Sequence, residues 1–544
     1  MTNGYSHGII LQFNSNSNLI KNNSAHDNIG YGQAYGFYTY ESSDNIFDSN
    51  NATRNKFAGF AAYRANSILE NNTFKNNLAY NNSLAGFYIT SNANMTNITN
   101  NTAHDTGYAV LILSSNNTVR DNTGYNTSSG TFFISGSYCK YNTFINNLAY
   151  GAKQYSGVII YNSGNNTVTN NTVHSTIDGI RIQGLNASFN FVSENIIYNL
   201  TRIGLYSFSF ANNNTFYNNT VYAVERGSAS LASAHNNSYL FNTFSNFTGF
   251  GGDVNTSDYT TYQDNTFYNS SASGMIFIEQ SNNSFVVNNS FNLSRLAGIE
   301  INSSALSVTQ QNVFNNLSIG VSVSNSLNIT INQSVFSNIT LVGNIVNSTI
   351  SLLNLSIYTI NPEDRLFNFT SSLATTVRGI SFPISVNNVF AFGFNNVVTA
   401  GFSFFNSSIA SISPLNSCPA GAYSSCWLVT NEHYVLNISN ISNILNVSSI
   451  FIMYNSSNIT NNLTLYGSKW VNDWIFLNRI ALDTTQEYVE FGNVNTAGYY
   501  GIVEFLPAIT PPNNGSGGLW AIALFLSMLV YILPMLKWVG RGKQ

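Results

Sequence analysis

Charge is what this 544-residue chain lacks. Asp, Glu, Lys and Arg make up 8% of it, with 19 basic against 23 acidic residues and a formal net charge of −4. An ordinary soluble domain carries about 25%. No block of Lys and Arg occurs before the last few residues. That excludes a nucleic-acid binder, because phosphates demand clustered cations. The scarcity also excludes a charged disordered tail. Cysteine is scarce too, with three residues in all. They are too scattered to form a metal-ligand set. Cys418 and Cys426, eight apart around Pro419 and Gly421, are spaced for a local disulfide in an oxidising exterior. Cys139 has no sequence neighbour and is expected to lie buried.

The missing polarity is supplied by Asn, 90 residues or about one in six. Such a surplus suggests a low-complexity segment, but 44% of the chain is hydrophobic and 14% aromatic, and these residues are periodic. The string N-T-(F/V)-x-N-N recurs around an apolar anchor: Ile20, Phe47, Phe74, Ile98, Val119, Phe144, Val168, Val192, Phe216, Phe244, Phe267, Val286, Phe314 and Phe336. The mean gap is about 24 residues, the signature of a solenoid. Two residues before the anchor stands Asn in most repeats, from Asn18 and Asn45 to Asn242 and Asn265. Three residues after it stand Asn23, Asn50, Asn77, Asn101, Asn122, Asn147, Asn171, Asn195 and Asn219. Five residues after it the residue is small or apolar, as at Ala25, Ala52 and Val173. Half a repeat later comes Gly-apolar-x-apolar, from Gly36-Phe37 through Gly157-Val158 and Gly274-Met275 to Gly320-Val321.

Alternation with period 2, broken by Asn and Gly, gives strands of three to five residues and no helix. Two or three such strands per turn, stacked in register, make an all-β parallel solenoid of about 14 coils. Identical residue types then lie above one another about 4.8 Å apart. The Asn column is expected to form an amide ladder along the axis, and Asn also tolerates the left-handed conformation a corner needs.

These motifs resemble the right-handed parallel β-helix superfamily, above all its NosD-like and pectin-lyase-like surface proteins. The resemblance covers about residues 1–345 and is specific for fold. It is weak for function, since the superfamily holds lyases, hydrolases, epimerases, adhesins and inert stalks. The hydrolase motifs N-T-D, D-D, G-H-G and R-I-K are absent, as is the epimerase motif D-P-H-D. The nearest catalytic candidates are His174, Asp178 and Arg181, where a His and an Asp could exchange protons; Asp-Gly is also an ordinary turn. Asp253, Asp258 and Asp264 lie in a Gly-rich stretch and match no calcium loop. A NosD likeness raises copper, but His26, His104 and His174 sit three coils apart, roughly 14 Å, whereas a metal–nitrogen bond is about 2 Å. No metal and no cofactor is expected.

Six residues after the anchor the column reads His26, Thr53, Tyr80, His104, Tyr125, Tyr150, His174, Tyr198, Tyr222, Phe250. Alternation turns it outward. Such a stripe either stacks on sugar rings or a protein partner, or its rings stack on one another.

Beyond 345 the anchors fade. Residues 346–507 read as irregular coils followed by a β-sandwich-like domain holding Trp427, Trp470 and Trp474. Residues 508–518 are a Pro/Gly/Ser linker. Residues 519–536 carry no charge and would span about 27 Å as a helix, with Trp520 and Trp538 at its ends. The tail 537–544 holds Lys537, Arg541 and Lys543, which places it in the cytoplasm and the coils outside. Residues 1–12 show neither a basic nor an apolar leader segment, so the chain is expected to be a fragment or to start at an internal Met. About 38 Asn-x-Ser/Thr sequons, among them Asn71, Asn94, Asn97, Asn165, Asn213, Asn288, Asn328 and Asn437, are acceptors for N-glycans on an exterior chain; a minority is expected to be used. The expectation is a membrane-anchored surface stalk or adhesin that binds carbohydrate or protein without catalysis. The alternative is a surface polysaccharide lyase or epimerase with a divergent site.

Overall fold

The computed structural model describes residues 7–358, apart from 31, 64–70, 91 and 272–273, and strand segments between 367 and 506. Each coil contributes three short strands, as in Thr143–Ile145, Leu148–Tyr150 and Ser156–Tyr161. Each strand pairs in parallel with its counterpart one coil on, so three parallel sheets run along the axis. The first-sheet core column runs Ile20, Phe47, Phe74, Ile98, Val119, Phe144, Val168, Val192, Phe216, Tyr239, Tyr262, Val286, Thr309, Ile331 and Leu352. Those fifteen residues make fourteen steps of about 24 residues each. From Phe47 onward the column is buried.

This register corrects the anchors beyond Phe216. Phe244, Phe267, Phe314 and Phe336 belong to the second sheet, in the column that begins Ala25, Ala52, Ala79. Asn242 and Asn265 move with them into the column of Asn219. In the coils of Phe244 and Phe267 the string N-T-F occurs in the second strand, while the first strand holds Tyr239 or Tyr262. The physical reason is conserved cross-section. Early coils place Phe on the first and third strands and Ala on the second. Later coils place Phe on the second, and the third strand shrinks to Ser228 and Gly252. The hydroxyl of Tyr262 occupies that space, 3.0 Å from Ser228 Oγ. Likewise Met275 is the residue beside Gly251 and Gly298, so Gly274 precedes the glycine column rather than joining it.

Three left-handed corners recur in each coil. In the coil of Phe144 they are Tyr141, Asn146 and Gly151, with φ of 60°, 55° and 68°. The second corner falls on the first Asn of each N-N pair, as at Asn76, Asn100, Asn146, Asn170 and Asn218. The second Asn has ordinary φ and points inward. The two duties assigned to one column are therefore divided between neighbours. The inner amides form a ladder with Nδ2–Oδ1 distances of 2.9–3.3 Å from Asn23 to Asn312. It passes through the nine residues from Asn23 to Asn219 and goes on through Asn242, Asn265 and Asn289. Between its two ends each amide is saturated. Asn147 Oδ1 accepts from the backbone N–H and Nδ2 of Asn122, and its Nδ2 donates to Asn171 Oδ1 and the Val119 carbonyl.

The glycine column sits where the second and third strands converge. A Cβ at Gly157 would lie 2.2 Å from Val173 Cγ1. One coil earlier the exchange is reversed, with Thr131 in the glycine column and Gly124 opposite, where a Cβ would meet Thr131 Cγ2 at 2.4 Å.

Parallel pairing continues beyond 345 through Phe367–Thr370, Phe392–Asn395 and Ala400–Ile409. Ser425–Leu428, Tyr434–Leu436, Leu465–Trp470, Trp474–Leu477 and Gly498–Leu506 form a separate antiparallel sheet. The Cys418–Cys426 pairing, the linker, residues 519–536 and the basic tail lie outside the described residues. Among the described residues, no helix is long and apolar enough to cross a membrane.

Candidate functional site

The outward column of the second sheet holds Tyr80, His104, Tyr125, Tyr150, His174, Tyr198 and Tyr222 in one continuous ring stack. Neighbouring centroids are 4.6–5.2 Å apart and the planes lie within 17° of parallel. The stack ends against Thr53 and Ser245; Phe250 is not part of this column, because Ser245 pairs with Tyr222. Each inner ring has both faces covered by its neighbours and offers solvent only an edge. Sugar stacking needs an open ring face.

Open faces occur instead on the outer side of the third sheet. Its outward column reads Tyr38, Ala61, Tyr88, Leu111, Phe133, Ile159, Arg181, Tyr206. Over the coils of Phe133, Ile159 and Arg181 the surface sinks into a groove of about 330 Å³, lined by Tyr108, Phe133, Tyr155, Ile159, Tyr161, Arg181 and Gln183. Tyr108 and Phe133 stack at 5.1 Å, while Tyr155 and Tyr161 are exposed. The groove is built by strand alternation: the same strands send Val158, Ile160, Ile180 and Ile182 into the core. Sequence reading found the stripe and missed the groove, because its residues come from four coils and do not share one repeat column. The aromatic run F-F at 132–133 and the pair Tyr155 and Tyr161 flanking a buried strand are the signal available.

One cluster of charged side chains lies next to this groove. Asp178, only 1% exposed in its side chain, is gripped by Arg202 through Nε–Oδ1 and Nη2–Oδ2 contacts of 2.8 and 2.6 Å. Arg181 Nη1 is 3.8 Å from the same carboxylate. Its guanidinium lies 5.3 and 5.4 Å from the ring centres of Tyr206 and Phe208. Further along, Arg226 pairs with Asp253 at 2.6 Å, and burial pushes the Asp253 carboxyl up to about 6. Of the three catalytic candidates, Asp178 and Arg181 come together. His174 is held in the ring stack, 3.1 Å from Ser175 Oγ, and burial lowers its pKa. Both oxygens of Asp178 are engaged by Arg202. Asp258 binds the backbone N–H of Asn282 and Asp264 binds Asn288 Nδ2. Among the described residues no three His, Cys, Asp or Glu are grouped as a metal site. Cys139 is buried, and burial pushes its thiol up to about 11.

The sequons acquire a structural reading. Asn71, Asn165, Asn213, Asn288 and Asn328 are all left-handed corner residues. At Asn71-Asn72-Thr73 and Asn165-Asn166-Thr167 the motif is corner, inward Asn, strand start.

Stacked coils with three short parallel strands, a continuous apolar core and inward amide ladders define a parallel β-solenoid with an aromatic groove on one outer face. The chain belongs to the family described as right handed beta helix region, which matches residues 1–103, 85–244 and 211–358. No curated protein matches it. Among solved structures it is similar to a tailspike protein mutant of E. coli bacteriophage HK620 in complex with a pentasaccharide, at 10% identity, covering 88% of this chain and 87% of that one, TM-score 0.34. It is also similar to a periplasmic alginate epimerase mutant, at 10% identity, covering 69% and 77%, TM-score 0.25. A mannuronic acid specific polysaccharide family 6 lyase from human gut microbiota gives 11% identity, 74% and 82%, TM-score 0.23.

Proposed function

We propose that this protein is a surface-displayed, non-catalytic β-helix that binds carbohydrate in the groove on its third sheet. The observation that carries the reading is the groove lining: open Tyr155 and Tyr161 rings beside Arg181 and Gln183. Aromatic faces pack against the C–H faces of sugars, and a few convergent polar groups orient hydroxyls. The non-catalytic part rests on chemistry. Asp178 is locked by Arg202, and His174 is held in the ring stack on a different sheet. Binding of the full chain to a glycan array should fall about tenfold or more in Tyr155→Ala and Tyr161→Ala, since each removes a stacking face. Unchanged array binding would sink the reading.

Membrane anchoring through residues 519–536, with the coils outside and the tail inside, is part of the same proposal. It rests on the uncharged run, its flanking Trp residues and the basic tail. Protease added to intact cells should remove the coils and leave the tail protected. A tail cleaved without lysis contradicts it.

A further inference from the structure

We infer that Arg181 selects an acidic glycan: the groove takes a sugar chain bearing a carboxylate or sulfate, and Arg181 is the residue that reads that anion. This rests on the carbohydrate reading above and goes further by fixing the charge of the ligand.

Among the described residues, Arg181 is the one charged side chain lining the groove. Its side chain is only 16% exposed, and its Nε is buried with no hydrogen-bond partner. A buried donor left unmade is costly, and the cost is larger for a charged group. The neighbouring carboxylate does not satisfy it. Asp178 has spent both oxygens on Arg202 at 2.8 and 2.6 Å and lies 3.8 Å from Arg181 Nη1. Arg181 and Arg202 thus share the Asp178 carboxylate, with Glu225 acting on Arg202 as well, and Arg181 is the cation on the groove side. Tyr206 and Phe208 hold the guanidinium plane in place, so little orientational freedom remains to be lost on binding. A planar fork of donors held this way matches a carboxylate or sulfate. The outward column from Tyr88 through Leu111, Phe133 and Ile159 to Arg181 brings no carboxylate to repel such a group. In a chain with 8% charged residues, an arginine lining a groove of open aromatic rings is a placement the fold itself does not require.

The test is titration of the full chain with three hexasaccharides of similar length: a uronic acid oligomer, a sulfated oligomer and a neutral glucan. The expected result is that at least one acidic oligomer binds about tenfold or more tightly than the glucan. That preference should disappear in Arg181→Gln, return in part in Arg181→Lys, and weaken with added salt in the unsubstituted chain. Whichever acidic arm binds identifies the anion. Asp178 keeps its Arg202 clamp in both variants, so their thermal unfolding should match the parent, and the salt dependence reads the same contact without any substitution. Equal binding of glucan and acidic oligomers, unaffected by Arg181→Gln, overturns the inference and leaves the carbohydrate reading standing. Binding of none of the three overturns both.

Discussion

Asn147 shows what one side chain does in this molecule. Its amide makes four hydrogen bonds to three residues in the two neighbouring coils. Asn147→Ala leaves the buried Asn122 N–H without its acceptor and takes one donor each from the Val119 carbonyl and Asn171 Oδ1, where a buried group left unpaired costs about 1–3 kcal/mol. The expected outcome is a loss of about 3 kcal/mol, seen as faster hydrogen exchange centred on the coils of Val119, Phe144 and Val168. A loss spread evenly over all coils would contradict a local ladder. Asp253 gives the pH counterpart. Its folded pKa of about 6 lies above the unfolded value of 3.8 because burial outweighs its pairing with Arg226. A raised acid contributes stability that is complete below about pH 4 and is lost as pH rises through about 6. The melting temperature of the parent relative to Asp253→Asn should therefore fall between pH 4 and 7; a constant difference refutes the shift. At this scale the ladder residues were legible in the sequence, because identical amides must stack in a solenoid. The division between corner Asn and ladder Asn was not, since two adjacent Asn look alike until φ is known.

Strands and corners are coupled through volume. The glycine column exists because the second and third strands approach where Val173 or its equivalent fills the gap. Gly157→Ala should cost about 1–3 kcal/mol, and Val173→Ala in the same chain should restore part of it. The coil of Gly124 and Thr131 already carries that exchange. Thermal unfolding of both single variants and the double variant checks this; purely additive losses would mean that the two positions do not share space. The same volume rule explains why the anchor reading slipped after Phe216. Sequence periodicity reports that large apolar side chains recur in every coil, not which strand bears them. When Tyr239 and Tyr262 took the first strand and Phe244 and Phe267 the second, the motif N-T-F followed the phenylalanine. Only the pairing register separates them.

On the scale of the whole molecule, fourteen steps at about 4.8 Å give a rod of roughly 67 Å from Ile20 to Leu352, with three outer faces of different character. The second sheet presents ring edges. The third presents an aromatic groove with the Asp178, Arg181 and Arg202 cluster beside it. Fold class was readable because the repeat dictates it. The groove was not, because it is assembled from Tyr108, Phe133, Tyr155, Tyr161 and Arg181 across four coils, and no single repeat announces it. The two faces make opposite claims about where a glycan would sit. The measurement that separates them is calorimetric titration of a glycan selected on the array into the full chain, Tyr155→Ala and Tyr150→Ala. Affinity should drop about tenfold or more in Tyr155→Ala and stay unchanged in Tyr150→Ala, whose ring lies between Tyr125 and His174. Loss in Tyr150→Ala with binding intact in Tyr155→Ala would place the ligand on the stacked column and contradict the groove.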